Sequence, residues 1–144
     1  MSKNDLIDCH DRIKPFIHNT PVLTSKLINN LAGADIYFKC ENFQKMGAFK
    51  MRGAANAILR LSDEQKSNGV VTHSSGNHAQ AISLAAKKIG IKAFIVMPSN
   101  APKIKKEAVK GYGGELIECE SNLEAREAAA KDVVHSKSAT FIHP

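Results

Sequence analysis

Val70-Val71-Thr72-His73-Ser74-Ser75-Gly76-Asn77-His78-Ala79-Gln80-Ala81-Ile82 runs from a β-branched stretch through a serine–glycine turn into an alanine-rich segment that stops at Gly90. Val70 to His73 reads as a buried strand, and Asn77 to Ile89 as a helix. The alternation recurs downstream. Ala93-Phe94-Ile95-Val96-Met97 reads as a second strand, followed by a helix opening near Pro102, a favoured first helical position. Glu115-Leu116-Ile117-Glu118-Cys119 is a third strand, and Ser121-Asn122-Leu123-Glu124 a capping box that opens a helix to about His135. Thr140-Phe141-Ile142-His143 is a fourth strand. Strand and helix alternating at roughly 24-residue spacing predict βαβ units, hence an α/β fold built on a parallel sheet.

Upstream the pattern is less regular. Ser2 with Asp5 three residues on, a weaker relative of the capping box, opens a helix that Pro15 stops. His18-Asn19-Thr20-Pro21 is loop-like, because a residue before proline avoids the helical region. Val22 to Leu31 reads as a short helix ended by Gly33, and Asp35 to Cys40 as a strand with no evident partner nearby. Glu41 to Lys50, with Gly47 inside it, reads as loop. A helix follows from Arg52, then a further turn opened by Ser62-Asp63-Glu64-Gln65 and closed by Asn68-Gly69. The expected division is 1–67 and 68–144. A strand without a partner, and a last strand with no helix after it, give the chain the look of one piece of a longer protein. On that reading the N-terminal half is expected to be labile and the C-terminal half folded.

With 144 residues, 43% of them hydrophobic and 24% charged, the composition is that of a soluble globular protein. No apolar run approaches the roughly 18 residues that span a bilayer, and the N-terminus lacks a signal-peptide pattern, so the expected compartment is the cytoplasm. The three cysteines are scattered and form neither CxxC nor zinc spacing, which predicts free thiols. The formal charge of +6 is spread along the chain; its densest group, Lys103, Lys105, Lys106 and Lys110, falls on one predicted helix, a solvated face rather than a nucleic-acid site.

Two segments carry chemistry. Ser74-Ser75-Gly76-Asn77-His78 sits at the carboxyl end of a strand and the start of a helix, where backbone N–H groups favour carboxylate or phosphate. The plainer alternative is that Ser75 or Asn77 simply caps the helix. Gly47-Ala48-Phe49-Lys50 places a lysine at a loop-to-helix junction beside small residues and a ring. Partial burial there favours the free amine that Schiff-base chemistry requires; the alternative is an exposed lysine at a helix start.

Both segments, in this order, resemble the signatures of the pyridoxal-phosphate-dependent (PLP) serine/threonine dehydratases, serine racemases and threo-3-hydroxyaspartate dehydratases. Phe38-Lys39-Cys40-Glu41-Asn42-Phe43-Gln44-Lys45-Met46-Gly47-Ala48-Phe49-Lys50-Met51-Arg52-Gly53-Ala54 is similar to their cofactor-lysine segment, and Thr72 to Ala81 to the second signature. Thr20-Pro21-Val22-Leu23, Ile95-Val96-Met97-Pro98 and His143-Pro144 fit as well. The resemblance implies a fold type II enzyme, with residues 1–67 the N-terminal part of a large PLP-binding domain and 68–144 a small mobile domain. It implies that Lys50 holds the cofactor and serves as acid/base on one face of the substrate α-carbon, with Ser75 on the other. Phe49 packs beside the cofactor ring, and Asn77 bonds its phenolic oxygen. Ser74, Ser75, Asn77 and His78 hold the substrate carboxylate, and Arg126 matches an arginine near the substrate mouth. Met46 and Met51 depart from the usual residues.

The implied reaction is α,β-elimination of water and ammonia from L-serine, L-threonine or 3-hydroxyaspartate, with serine racemisation, in a homodimer acting on a small amino-acid substrate. Some members also bind Mg2+ and ATP, the latter near Thr24-Ser25-Lys26, Lys45-Met46 and Tyr112, although Lys26 stands where a small hydroxyl residue is expected. No metal ligands are assigned in this chain. The phosphate-gripping glycine loop of the family has no counterpart here, so the isolated chain is expected to bind PLP weakly and to be inactive. The alternative to an enzyme is a truncated, non-catalytic small-domain module that acts only by binding.

Overall fold

A computed structural model describes residues 2–144. It begins with α1 (Lys3–Ile13), where the capping box is complete: Asp5 N donates to Ser2 Oγ, and Ser2 N donates to the Asp5 carboxylate. A 3-10 turn, Lys14–Phe16, follows at Pro15. Val22–Leu23, expected to start a helix, instead form β1. The helix is confined to α2 (Lys26–Ala32), because Ser25 caps it by accepting from Ile28 N. Gly33 ends α2 in the left-handed region at φ 65°. The strand expected over 35–40 shrinks to β2 (Phe38–Lys39), and it has a partner after all: β1 pairs with it antiparallel.

α3 (Lys50–Leu59) comes next, then α4 (Asp63–Asn68) with the predicted Ser62/Gln65 capping box. The βα alternation then unfolds as read: β3 (Val70–His73), α5 (Asn77–Ile89), β4 (Ala93–Pro98), α6 (Lys103–Gly111), β5 (Glu115–Cys119), α7 (Leu123–Lys137) and β6 (Thr140–Phe141). The four strands are parallel in the order β5-β4-β3-β6. Three local readings shift. Pro102 occupies the cap of α6 rather than its first turn. Asn122, not Ser121, caps α7, its Oδ1 accepting from Ala125 N at 2.6 Å. β6 is shorter than the expected 140–143, although Ile142 N still donates to Val71 O at 2.8 Å.

Side chains alternate across the sheet, so each face needs its own cover. Val70, Ile95 and Met97 pack with Ile82, Ala85 and Ala86 of α5, while Val71, Phe94 and Val96 pack with Ala130 and Val133 of α7. A sheet covered on both faces explains why its inner strands read as continuous apolar runs. Met51, Ala54, Ala55 and Ile58 of α3 and Ile13 of α1 belong to the same cluster as α5. The core therefore continues across the boundary drawn at residue 67. The expected lability of the whole N-terminal half narrows to its β1–α2–β2 unit, which buries no residue and leaves Leu27 and Leu31 70% and 79% exposed.

Gly114 makes the tightest approach in the core. A Cβ there would overlap Ser83 Oγ and lie 2.8 Å from Val109 Cγ1 and 3.1 Å from Ile95 Cγ1. Gly114→Ala is expected to destabilise the chain by about 1–3 kcal/mol, seen as a lower urea midpoint at unchanged slope.

Candidate active site

One face of α3 presents Lys50, Gly53, Ala54 and Ala57 at helical spacing, and they line a recess of about 290 Å³ together with Phe49, His78, Ile142, His143 and Pro144. Lys50 is the first residue of α3 and half-buried, not the freely exposed lysine of the plainer alternative. Its Nζ stands 5.8 Å from the centroid of the Phe49 ring, itself 60% exposed. Nothing lies within 4 Å of where a Gly53 Cβ would sit, so that side of the recess is held open.

The approach to Lys50 is fixed from behind. The Arg52 guanidinium donates to both Glu41 carboxylate oxygens, at 2.9 and 2.7 Å, and Thr20 Oγ1 donates to Glu41 Oε1 at 2.6 Å. These bonds hold the Glu41 carboxyl down at about 2, with the Arg52 hydrogen bond the leading cause. Gln44 clasps the backbone of His18, accepting from its N–H and donating to its carbonyl. The segment read as loop folds into two 3-10 turns, Glu41–Phe43 and Lys45–Gly47. Met46 at φ 55° and Gly47 at φ 75° then turn the chain sharply toward α3.

The β3–α5 turn bears on the capping alternative. The helix cap is Gly76, and no side chain bonds to the first-turn amides. Neither Ser75 nor Asn77 caps the helix, so its N-terminal N–H groups remain available to an anion. Ser74 shapes the turn: its N donates to Val96 O, and its Oγ accepts from Gly76 N at 3.3 Å. His78, the second residue of α5, carries this helix end to the Lys50 recess.

His78 is buried, and its Nε2 has no hydrogen-bond partner. Burial, and then the nearby Lys50, push its pKa down to about 4, with the Ile142 backbone pulling the other way. A histidine held neutral stabilises the fold above its unfolded pKa of about 6.5, and that contribution is lost as pH falls toward 4. Glu41 acts lower, its contribution vanishing between about 4.5 and about 2. Acid titration of the urea midpoint is therefore expected to fall in two stages, and His78→Gln to flatten only the first.

Of the residues singled out in the sequence, Phe49, Lys50 and His78 share one recess, and Ser74, Ser75 and Asn77 lie on the turn leading into it. Arg126 is not among the lining residues. It sits in the first turn of α7, Nε donating to Asn122 O at 3.2 Å, near enough to Cys119 to act on its thiol. Sequence reading missed Gly53, Ala54, Ala57 and His143 as lining residues. The first three were visible as i+3, i+4 and i+7 from Lys50; His143 arrives through the non-local pairing of β6 with β3.

This architecture, a lysine-bearing helix start beside an uncapped helix end on a parallel sheet, matches one family over nearly the whole chain. Residues 13–144 match the pyridoxal-phosphate dependent enzymes, and the chain belongs to that family. It is 55% identical to the serine racemase of Arabidopsis thaliana over 95% of its length, and 49% identical to the beta-hydroxyaspartate dehydratase of Paracoccus denitrificans over 97%. Against the crystal structure of serine racemase from Dictyostelium discoideum the TM-score is 0.94 at 52% identity, covering 98% of this chain and 46% of that one. The chain spans less than half the length of these relatives, 41% and 44% of the two enzymes.

The residues present fit the family's cofactor in part. An amine, an aromatic ring, a glycine-opened wall and the His78 residue converge on the recess, and free amides lie at the adjoining helix end.

Proposed function

We propose that the protein carrying this chain catalyses PLP-dependent α,β-elimination of water and ammonia from a hydroxy amino acid such as L-serine, L-threonine or 3-hydroxyaspartate, with serine racemisation. The observation that carries this reading is that α5, its first-turn amides uncapped, reaches the Lys50 recess through His78. When bound, the cofactor supplies a ring that stabilises negative charge at the substrate α-carbon. Lys50 Nζ holds the cofactor and moves the α-proton on one face; Ser75 Oγ moves it on the other. The amides at Ser75 and Asn77, with the Ser74 and Asn77 side chains, orient the substrate carboxylate. Asn77 also bonds the ring's phenolic oxygen, and Phe49 covers the ring. Arg126 joins the substrate mouth only if α7 approaches the recess when the site closes.

In this proposal residues 1–67 belong to a large cofactor domain and 68–144 form the small domain, within a cytoplasmic homodimer. No helix among the described residues is long and apolar enough to cross a membrane. The basic face of α6 is partly spent internally, Lys106 pairing with Glu118 at 2.7 Å, which favours a small-molecule substrate over nucleic acid. We assign no metal or nucleotide site to these residues. The test is to supply the whole protein with PLP and L-serine and measure pyruvate, ammonia and D-serine. Absence of all three, with threonine and 3-hydroxyaspartate also inert, overturns the reading.

A further inference from the structure

The first turn of α3 carries two cations, Lys50 and Arg52, with no acidic residue among them and no side-chain cap on its N–H groups. A helix start favours the opposite charge, so such a turn frays when left to itself. The missing negative charge comes from outside the helix. Glu41 stands eleven positions before Arg52 and accepts from its guanidinium through both carboxylate oxygens. The pair is largely shielded, with 28% of the Arg52 side chain and 20% of the Glu41 side chain exposed, and its two-point geometry resists swivelling. Glu41 is anchored in turn. Buried Thr20 donates to it, and Gln44, three residues on, clasps the backbone of His18. The Glu41–Arg52 contact therefore closes a loop that carries Phe49 and Lys50.

We propose that Glu41 is a positioning residue for the cofactor lysine: through Arg52 it pins the uncapped first turn of α3, and this sets Lys50 at the edge of its recess. The assignment rests on the role given to Lys50 above, and it concerns a residue outside the recess lining. Holding a reacting group in place acts on the rate of the step it performs. Loss of the clamp is thus expected to slow the chemistry of Lys50 far more than it weakens substrate binding.

The experiment adds PLP to the whole apo-protein, quenches samples with borohydride at short times, and maps the pyridoxyl group by peptide. Labelling is read at Lys50 and, as an internal reference, at Lys103 of α6, whose side chain is 90% exposed. Glu41→Gln keeps the shape of the side chain and removes its charge. It is expected to slow labelling of Lys50 by about 10–100-fold, with Lys103 labelled at the wild-type rate. Elimination from L-serine is expected to lose a similar factor in kcat, with KM held within about threefold. Thr20→Val is the milder variant, and it decides alone where Glu41→Gln does not fold. It removes one bond to Glu41, leaves the ion pair, and is expected to slow Lys50 by about 2–5-fold. Lys50 labelled at the wild-type rate in either folded variant overturns the proposal, as does equal slowing at Lys50 and Lys103 or a loss carried by KM alone. Wild type with no pyridoxyl group on Lys50 overturns the cofactor reading itself; a labelled wild type with unslowed variants overturns the positioning role alone.

Discussion

Lys50→Ala in the whole protein is expected to lower kcat/KM for elimination from L-serine by at least about 10³-fold, with kcat carrying the loss. The reason lies in the recess itself. Its other lining residues on α3 are Gly53, Ala54 and Ala57, which carry no amine, and the neighbouring imidazole of His78 stays neutral. Nothing there can replace both the covalent attachment and the proton transfer. Added methylamine supplies the lost amine in the space the truncation opens, and partial rescue of turnover separates a chemical role from a structural one. The fold is expected to survive, because Lys50 begins a helix whose buried residues are Met51, Ala54, Ala55 and Ile58. Unchanged elimination in Lys50→Ala would remove Lys50 from the chemistry.

Ser75→Ala is expected to divide the two reactions. Racemisation needs a proton donor on the face opposite Lys50, whereas elimination from the L-substrate needs only the Lys50 face. Loss of racemisation by about 10²–10⁴-fold, with elimination reduced far less, is the expected result from comparing D-serine and pyruvate formation. Helix capping does not confuse this comparison, since Gly76 and not Ser75 occupies the cap of α5. Equal loss of both reactions would assign Ser75 to the carboxylate loop alone.

The downstream alternation was legible because a parallel sheet covered on both faces demands continuous apolar strands, and Val70–Val71 and Ala93–Met97 supply them. Local chemistry was legible where a single residue decides it, as with Gly33, Gly90 and the Ser62/Gln65 box. It was ambiguous where two good caps adjoin: Ser121 and Asn122 are both suited, and one residue of register separates them. β1 was hidden because a two-residue strand has no period of its own. Val22–Leu23 are extended through pairing with Phe38–Lys39, a contact that no local pattern announces.

The site divides along the same line. Lys50 and the Ser74–His78 turn stood out through residue type and place in the alternation. Burial of His78, and the arrival of Ile142 and His143 beside Lys50, depend on β6 docking against β3. That pairing joins residues some seventy positions apart, and sequence periodicity carries no information about it.

The proposed chemistry requires Lys50 to hold the cofactor. Borohydride reduction of the protein with one equivalent of PLP, followed by peptide mapping, tests this most directly. A pyridoxyl group concentrated on Lys50 is the predicted result. Label concentrated on Lys39 or Lys45, or spread evenly over the surface lysines with none favoured at Lys50, would contradict it.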